Sequence, residues 1–291
     1  MNRLASTIPG VDHHRIGLNG TELHYVAAGT SGSPVLLVHG FPETWWVFHH
    51  LIPLLSEHHR VFAVDLRGFG DSATASPEHD SATAAQDLGD LIAHLDVGPV
   101  HLTGQDISGP TTFRVAATRP ELVRSYAAIE TALPGFGAEA LADVTRGGAW
   151  HIGVLAAPGI PAMLLTGHER AFLADYAIPA LAADPGTFTD NDIDELARAY
   201  TRPDAFAGAA GLYRSLLSEG EEIRELAARK LQMPVLAVAS FSDLTTATMR
   251  QVAVDLTAVR IDGIGHYVAM EAPGRLADTL RSFYADIDGK H

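Results

Sequence analysis

Short apolar runs and longer amphipathic stretches alternate along the first 130 residues. Pro34-Val35-Leu36-Leu37-Val38 and Val61-Phe62-Ala63-Val64 are apolar throughout and bounded by turn residues, the pattern of strands covered on both faces of a parallel sheet. Residues 15–29 predict a hairpin, with Ile16 and Leu18 before an Asn19-Gly20 turn and Leu23, Tyr25 and Ala27 after it. Helical spacing is predicted over residues 45–57 and 81–95, followed by a strand entered at Val100 and Leu102. A further strand is expected over 124–129, ending at Glu130. Strands alternating with helices predict a mostly parallel α/β sheet with helices on both faces, and ligands beyond the carboxyl ends of the strands.

After Glu130 the rhythm changes. Residues 131–230 carry helical patterns and no strand signal. Thr189 precedes an acidic turn with Asp190 and Asp192, and Phe188 and Ile193 are spaced for a hydrophobic staple. Ile193, Leu196, Ala197 and Tyr200 mark one helical face, and Phe206, Ala210, Tyr213 and Leu217 mark the next. Strands resume at 235–239 and 256–261, and a last helix is expected over 273–284. The expected organisation is a core of residues 1–130 and 231–291 interrupted by a helical cap, 131–230.

Composition narrows the chemistry. A formal charge of −15 disfavours nucleic acid and anionic membranes as partners. The chain has no cysteine, which excludes disulfides, thiolate catalysis and cysteine–zinc sites. The fifteen histidines include three adjacent pairs (His13-His14, His49-His50, His58-His59), show no metal-ligand spacing, and are read as surface residues. No metal or cofactor is therefore expected. Residues 1–10 lack a basic segment leading into a long apolar run, so no signal peptide is read and a cytoplasmic location is expected. No apolar run of about 18 residues suggests a membrane span.

One stretch carries reactive character. Val100 to Pro110 reads as a strand, a tight turn and a helix start, with Gly104 two before Asp106, Ser108 two after and Gly109 three after. This is the pattern of a nucleophile elbow, with aspartate where serine is usual. A serine needs a neighbouring base and attacks acyl carbon, whereas a carboxylate is ionised at neutral pH and can attack saturated carbon bearing a strained leaving group. The plain alternative is that Asp106 caps the following helix.

These segments together, with His39-Gly40-Phe41-Pro42-Glu43, the 65–72 loop and Gly263-Ile264-Gly265-His266, resemble the capped α/β-hydrolases of the epoxide hydrolase branch. Tyr213-Arg214 and residues 231–234 are similar to the bacterial branch typified by the cystic fibrosis transmembrane regulator inhibitory factor. The resemblance implies an α/β-hydrolase fold and an enzyme that opens an epoxide to a vicinal diol through an ester on Asp106. It implies His266 as the base that activates water, and the backbone N–H groups of Phe41 and Ile107 as the oxyanion hole, beside a cis Pro42. Tyr213 and His151 are implied as cap donors to the epoxide oxygen. The acid that orients His266 is Glu130 or Asp243, each just past a strand. The implied partner is a small epoxide, with a homodimer left open. Trp45, Trp46 and Phe48 are assigned to packing. A hydrolytic dehalogenase would use the same nucleophile, but Ile107 stands where dehalogenases commonly carry a halide-binding tryptophan. A non-catalytic ligand binder is the third reading.

Overall fold

The computed structural model describes residues 7–76 and 78–289; six of the ten N-terminal residues read for a signal segment lie outside them. Eight strands form one sheet: β1 (Asp12–Leu18), β2 (Thr21–Ala28), β3 (Pro34–Val38), β4 (Arg60–Val64), β5 (Val100–Gln105), β6 (Val123–Ile129), β7 (Val235–Ala239) and β8 (Leu256–Arg260). Their order is β1-β2-β4-β3-β5-β6-β7-β8. The β1–β2 and β2–β4 pairs are antiparallel and every later pair is parallel. The hairpin closes where expected. Asn19 and Gly20 both take positive φ (46° and 72°), as a two-residue turn matched to strand twist requires.

The strands β3, β5 and β7 are buried along their whole length; β3 and β7 read as continuous apolar runs for that reason, while in β5 the buried His101, Thr103 and Gln105 find polar partners. Their carboxyl ends deliver His39, Asp106 and Ser240 to one edge of the sheet. The stretch predicted as one helix over 45–57 is two pieces: a tight turn at Trp45–Phe48 and a helix at Leu51–Ser56. Pro53 accounts for the break, since its ring fits the first turn of a helix and clashes with the preceding turn inside one. Trp45, Trp46 and Phe48 are buried, and the Trp46 indole donates to Asp192, which lies between β6 and β7 in the chain, at 2.8 Å.

Between β6 and β7 the described residues form helices and turns without a strand. The helix Asp190–Tyr200 starts with the expected cap, Thr189 and Asp192 exchanging hydrogen bonds. The next, Ala207–Ser218, buries Tyr213 while Leu217 in its last turn points outward. The last helix runs to Asp288, a turn beyond expectation, because Asp288 is gripped by Arg124 (2.6 Å) and Ser33 (2.6 Å).

Several histidines are not at the surface. His24, His39, His59, His79 and His101 are buried. Partners make this tolerable for His24 and His101, whose Nδ1 atoms meet Asp65 (2.7 Å) and the Ser125 hydroxyl (2.7 Å). Among the described residues no helix is long and apolar enough to cross a membrane.

Candidate active site

The elbow is built by small residues and one buried hydroxyl. Asp106 lies at φ +52°, a left-handed conformation that costs roughly 1–3 kcal/mol outside glycine and must be held by its surroundings. The hold comes from Ser108, fully buried, whose hydroxyl accepts from the Gln105 N–H (2.9 Å) and donates to the Gln105 carbonyl (2.6 Å). Serine here therefore staples the turn from inside. Gly104 and Gly109 leave room for neighbours: a Cβ at Gly104 would lie 2.1 Å from Thr112 Oγ1, and one at Gly109 would lie 1.7 Å from Thr131 Oγ1.

The Asp106 carboxylate is held at both oxygens. The Phe41 N–H donates to Oδ2 at 2.9 Å, and the Ile107 N–H also donates to the carboxylate. Gly40 permits this approach, since a Cβ there would sit 2.4 Å from that of Asp106. The Phe41–Pro42 peptide is cis. Oδ1 lies 3.3 Å from His266 Nε2. Burial alone would raise the pKa of Asp106, but His266 and the two backbone donors hold it below its ordinary value.

His266 bridges two acids. Its Nδ1 lies 3.3 Å from Glu130 Oε2. Glu130 Oε1 accepts from the Ser240 N–H (2.6 Å) and the Phe241 N–H (3.2 Å), which fixes the carboxylate and leaves Oε2 for the imidazole. Glu130, like Asp106, ends its strand at positive φ (44°). The loop carrying His266 is pinned to the helical stretch between β6 and β7 by the His266 N–H, which donates to the Leu181 carbonyl at 2.8 Å. Burial works against the imidazolium, yet Asp106 and Glu130 together raise its pKa to about 10. Asp243, the other candidate acid, is elsewhere. Its side chain is 86% exposed and accepts from Arg260 at 2.7 Å, with no hydrogen bond to His266. It begins a surface helix, and its strand-end position was its sole resemblance to Glu130.

A cavity of about 330 Å³ opens over Asp106, and His151, Tyr176 and Tyr213 line it together with His266. Tyr213 is 3% exposed, makes no hydrogen bond to another described residue, and is packed edge-on against Phe41 (ring centroids 5.6 Å). Burial lifts its pKa well above 10, with the Asp106 charge adding to the rise, so it is a phenol at neutral pH. Burial lowers the pKa of His151, whose Nδ1 lies 3.2 Å from the Tyr176 hydroxyl. The rest of the lining is largely apolar, including Ile107, Ile152, Phe172 and Leu216.

Known proteins share the fold. Residues 33–148 match the family model described as alpha/beta hydrolase fold. The solved structure of wild-type Cfl2 from Burkholderia cenocepacia is similar with a TM-score of 0.85 and 30% identity, covering 94% of this chain and 96% of that one. The chain belongs to the α/β-hydrolase family. This hydrolase is also 28% identical over 299 residues to the soluble epoxide hydrolase of Corynebacterium sp. (strain C12), covering 95% of this chain and 98% of that protein. The Cif epoxide hydrolase from Acinetobacter nosocomialis shares the fold, with a TM-score of 0.89 and 23% identity over 96% of this chain and 90% of that one.

Three residues of the hydrolase site had no signal in the sequence. Tyr176 lies in an irregular helical segment, Leu173–Ala177, and its place is fixed by His151. Thr131 and Thr245 gain meaning from partners more than twenty residues away.

The His266 environment carries a pH signature. A pKa raised above the ordinary 6.5 means that its charge stabilises the fold fully below that value, and the contribution is lost as pH climbs through about 10. Melting temperature should therefore fall between about pH 6 and pH 11. His266→Gln should flatten that fall; an equally steep decline in the variant would show the imidazolium contributes nothing.

Proposed function

We propose that this hydrolase opens small apolar epoxides to vicinal diols through an ester on Asp106. The observation that carries the reading is a phenol, Tyr213, and a His151–Tyr176 pair lining the same cavity as a carboxylate at a nucleophile elbow. A carboxylate attacking an epoxide carbon breaks the C–O bond and leaves an alkoxide, which needs a nearby proton donor. A buried neutral phenol is suited to that task.

In the first step Asp106 Oδ1 bonds to the epoxide carbon and the alkoxide takes the Tyr213 proton. Esterification removes the negative charge beside His266 Nε2, so the imidazolium loses one of its two carboxylate partners and its proton makes good the one Tyr213 gave up. In the second step neutral His266 takes a proton from water, which attacks the ester carbonyl. The oxyanion forms at Oδ2, against the Phe41 and Ile107 N–H groups, where two aligned donors act at the moment charge develops. Collapse expels the diol oxygen, which takes the proton of the hydroxyl that water added to the ester carbon, and so restores the Asp106 carboxylate beside an imidazolium. The names of the Corynebacterium and Acinetobacter relatives support the substrate class.

The dehalogenase reading has less support. Halide release calls for N–H donors at the departing atom, and Ile107 supplies an apolar side chain after the nucleophile. Incubation with a racemic terminal epoxide, assayed for diol, tests the proposal, with a chloroalkane assayed for released chloride as the contrast. Chloride without diol would overturn it. Tyr213→Phe should slow ester formation by ~10²–10³-fold while leaving ester hydrolysis largely alone. Single-turnover kinetics with an unchanged first step would return Tyr213 to a packing role.

A further inference from the structure

We propose that Thr131 is a positioning residue that aims the Ile107 N–H of the oxyanion hole by gripping the peptide between Asp106 and Ile107. This rests on the ester chemistry proposed above. The Thr131 hydroxyl donates to the Asp106 carbonyl at 2.6 Å. That carbonyl and the Ile107 N–H belong to one planar peptide unit, so fixing the oxygen fixes the direction of the N–H at its other end. The same N–H donates to the Asp106 carboxylate. The carbonyl also accepts from the Gly109 N–H, which starts the helix, and Thr131 takes its second lone pair.

The grip is itself fixed. Thr131 is 3% exposed, and its own N–H donates to the Thr245 hydroxyl at 2.9 Å. Gly109 leaves the space the hydroxyl needs, since a Cβ there would fall 1.7 Å from Thr131 Oγ1. Asp106 sits at φ +52°, a conformation that its surroundings must hold, and Thr131 adds a side-chain grip to the one backbone bond from Gly109. Thr131 directly follows Glu130, so one corner at the end of β6 orients both His266 and the elbow peptide.

The consequence is selective. Ester formation uses Oδ1 and needs little from the Ile107 N–H, whereas ester hydrolysis builds negative charge on Oδ2. Thr131→Val, which keeps shape and removes the donor, should slow ester hydrolysis ~10-fold, less than the ~10²–10³-fold of losing a donor outright. Ester formation should change by less than about twofold, so the ester should accumulate during turnover and be visible by intact mass after acid quench. Thr131→Ser should restore the wild-type partition. Thr131→Ala serves as a second variant with the same expected pattern should the valine fail to fold.

Equal slowing of both steps, or wild-type hydrolysis in both Thr131→Val and Thr131→Ala, would overturn the assignment. His266→Gln treated in parallel separates the two proposals. An ester that forms there, with normal hydrolysis in the Thr131 variants, overturns the role of Thr131 alone. No ester in His266→Gln overturns the ester chemistry, and Thr131's role falls with it.

Discussion

Exposed to an epoxide, His266→Gln should gain the mass of one substrate molecule and then stop. Asp106 keeps its two backbone donors in this variant, and Tyr213 still lines the cavity, so alkylation has what it needs. Glutamine cannot accept a proton from water, and loss of a positioned base costs typically ~10²–10⁴-fold. Intact mass spectrometry against time reads the result directly, and peptide mapping should place the adduct on Asp106. Diol production at the normal rate with an unmodified mass would be incompatible with a two-step route.

Glu130→Gln should lower turnover by ~10³–10⁴-fold, the scale seen when the acid behind a catalytic imidazole becomes an amide. Glu130 accepts two backbone N–H groups at one oxygen and faces Nδ1 of His266 with the other. An amide in that position turns one N–H toward a donor, favouring the wrong imidazole tautomer and removing a charge that supports the imidazolium. Asp243→Asn is the matched control and should stay within about twofold of wild type, as surface substitutions generally do. Steady-state kcat for the pair decides between them. A large loss in Asp243→Asn with normal Glu130→Gln would reverse the geometric assignment.

The two acids show where sequence reasoning stops. Both follow a strand of the sheet, so local pattern treats them alike. What separates them is reach: Glu130 turns back at positive φ toward the neighbouring strand end, while Asp243 starts a surface helix. The strands β3 and β7 were legible because burial on two faces gave them unbroken apolar runs. The hairpin was legible because Asn19-Gly20 is one of few pairs that tolerate positive φ twice. The buried histidines were not, since His24 becomes acceptable in the interior through Asp65, forty-one residues away. Thr131 and Tyr176 were invisible for the same reason. Their partners are assembled by the fold and leave no local trace.

The break between β6 and β7 has a consequence for how this chain reaches its native state. The two strands are neighbours in the sheet, pairing Ile129 with Val238, yet roughly a hundred residues of helices and turns, the stretch expected to form a cap, separate them along the chain. Bringing the ends of a flexible segment that long together costs about 4 kcal/mol from its length alone. A cap already folded into helices would hold its two ends closer and lessen that entropy. Weakening the cap far from Asp106, at the Thr189–Asp192 start of its helix for example, should therefore slow refolding of the sheet as well as loosen the cavity.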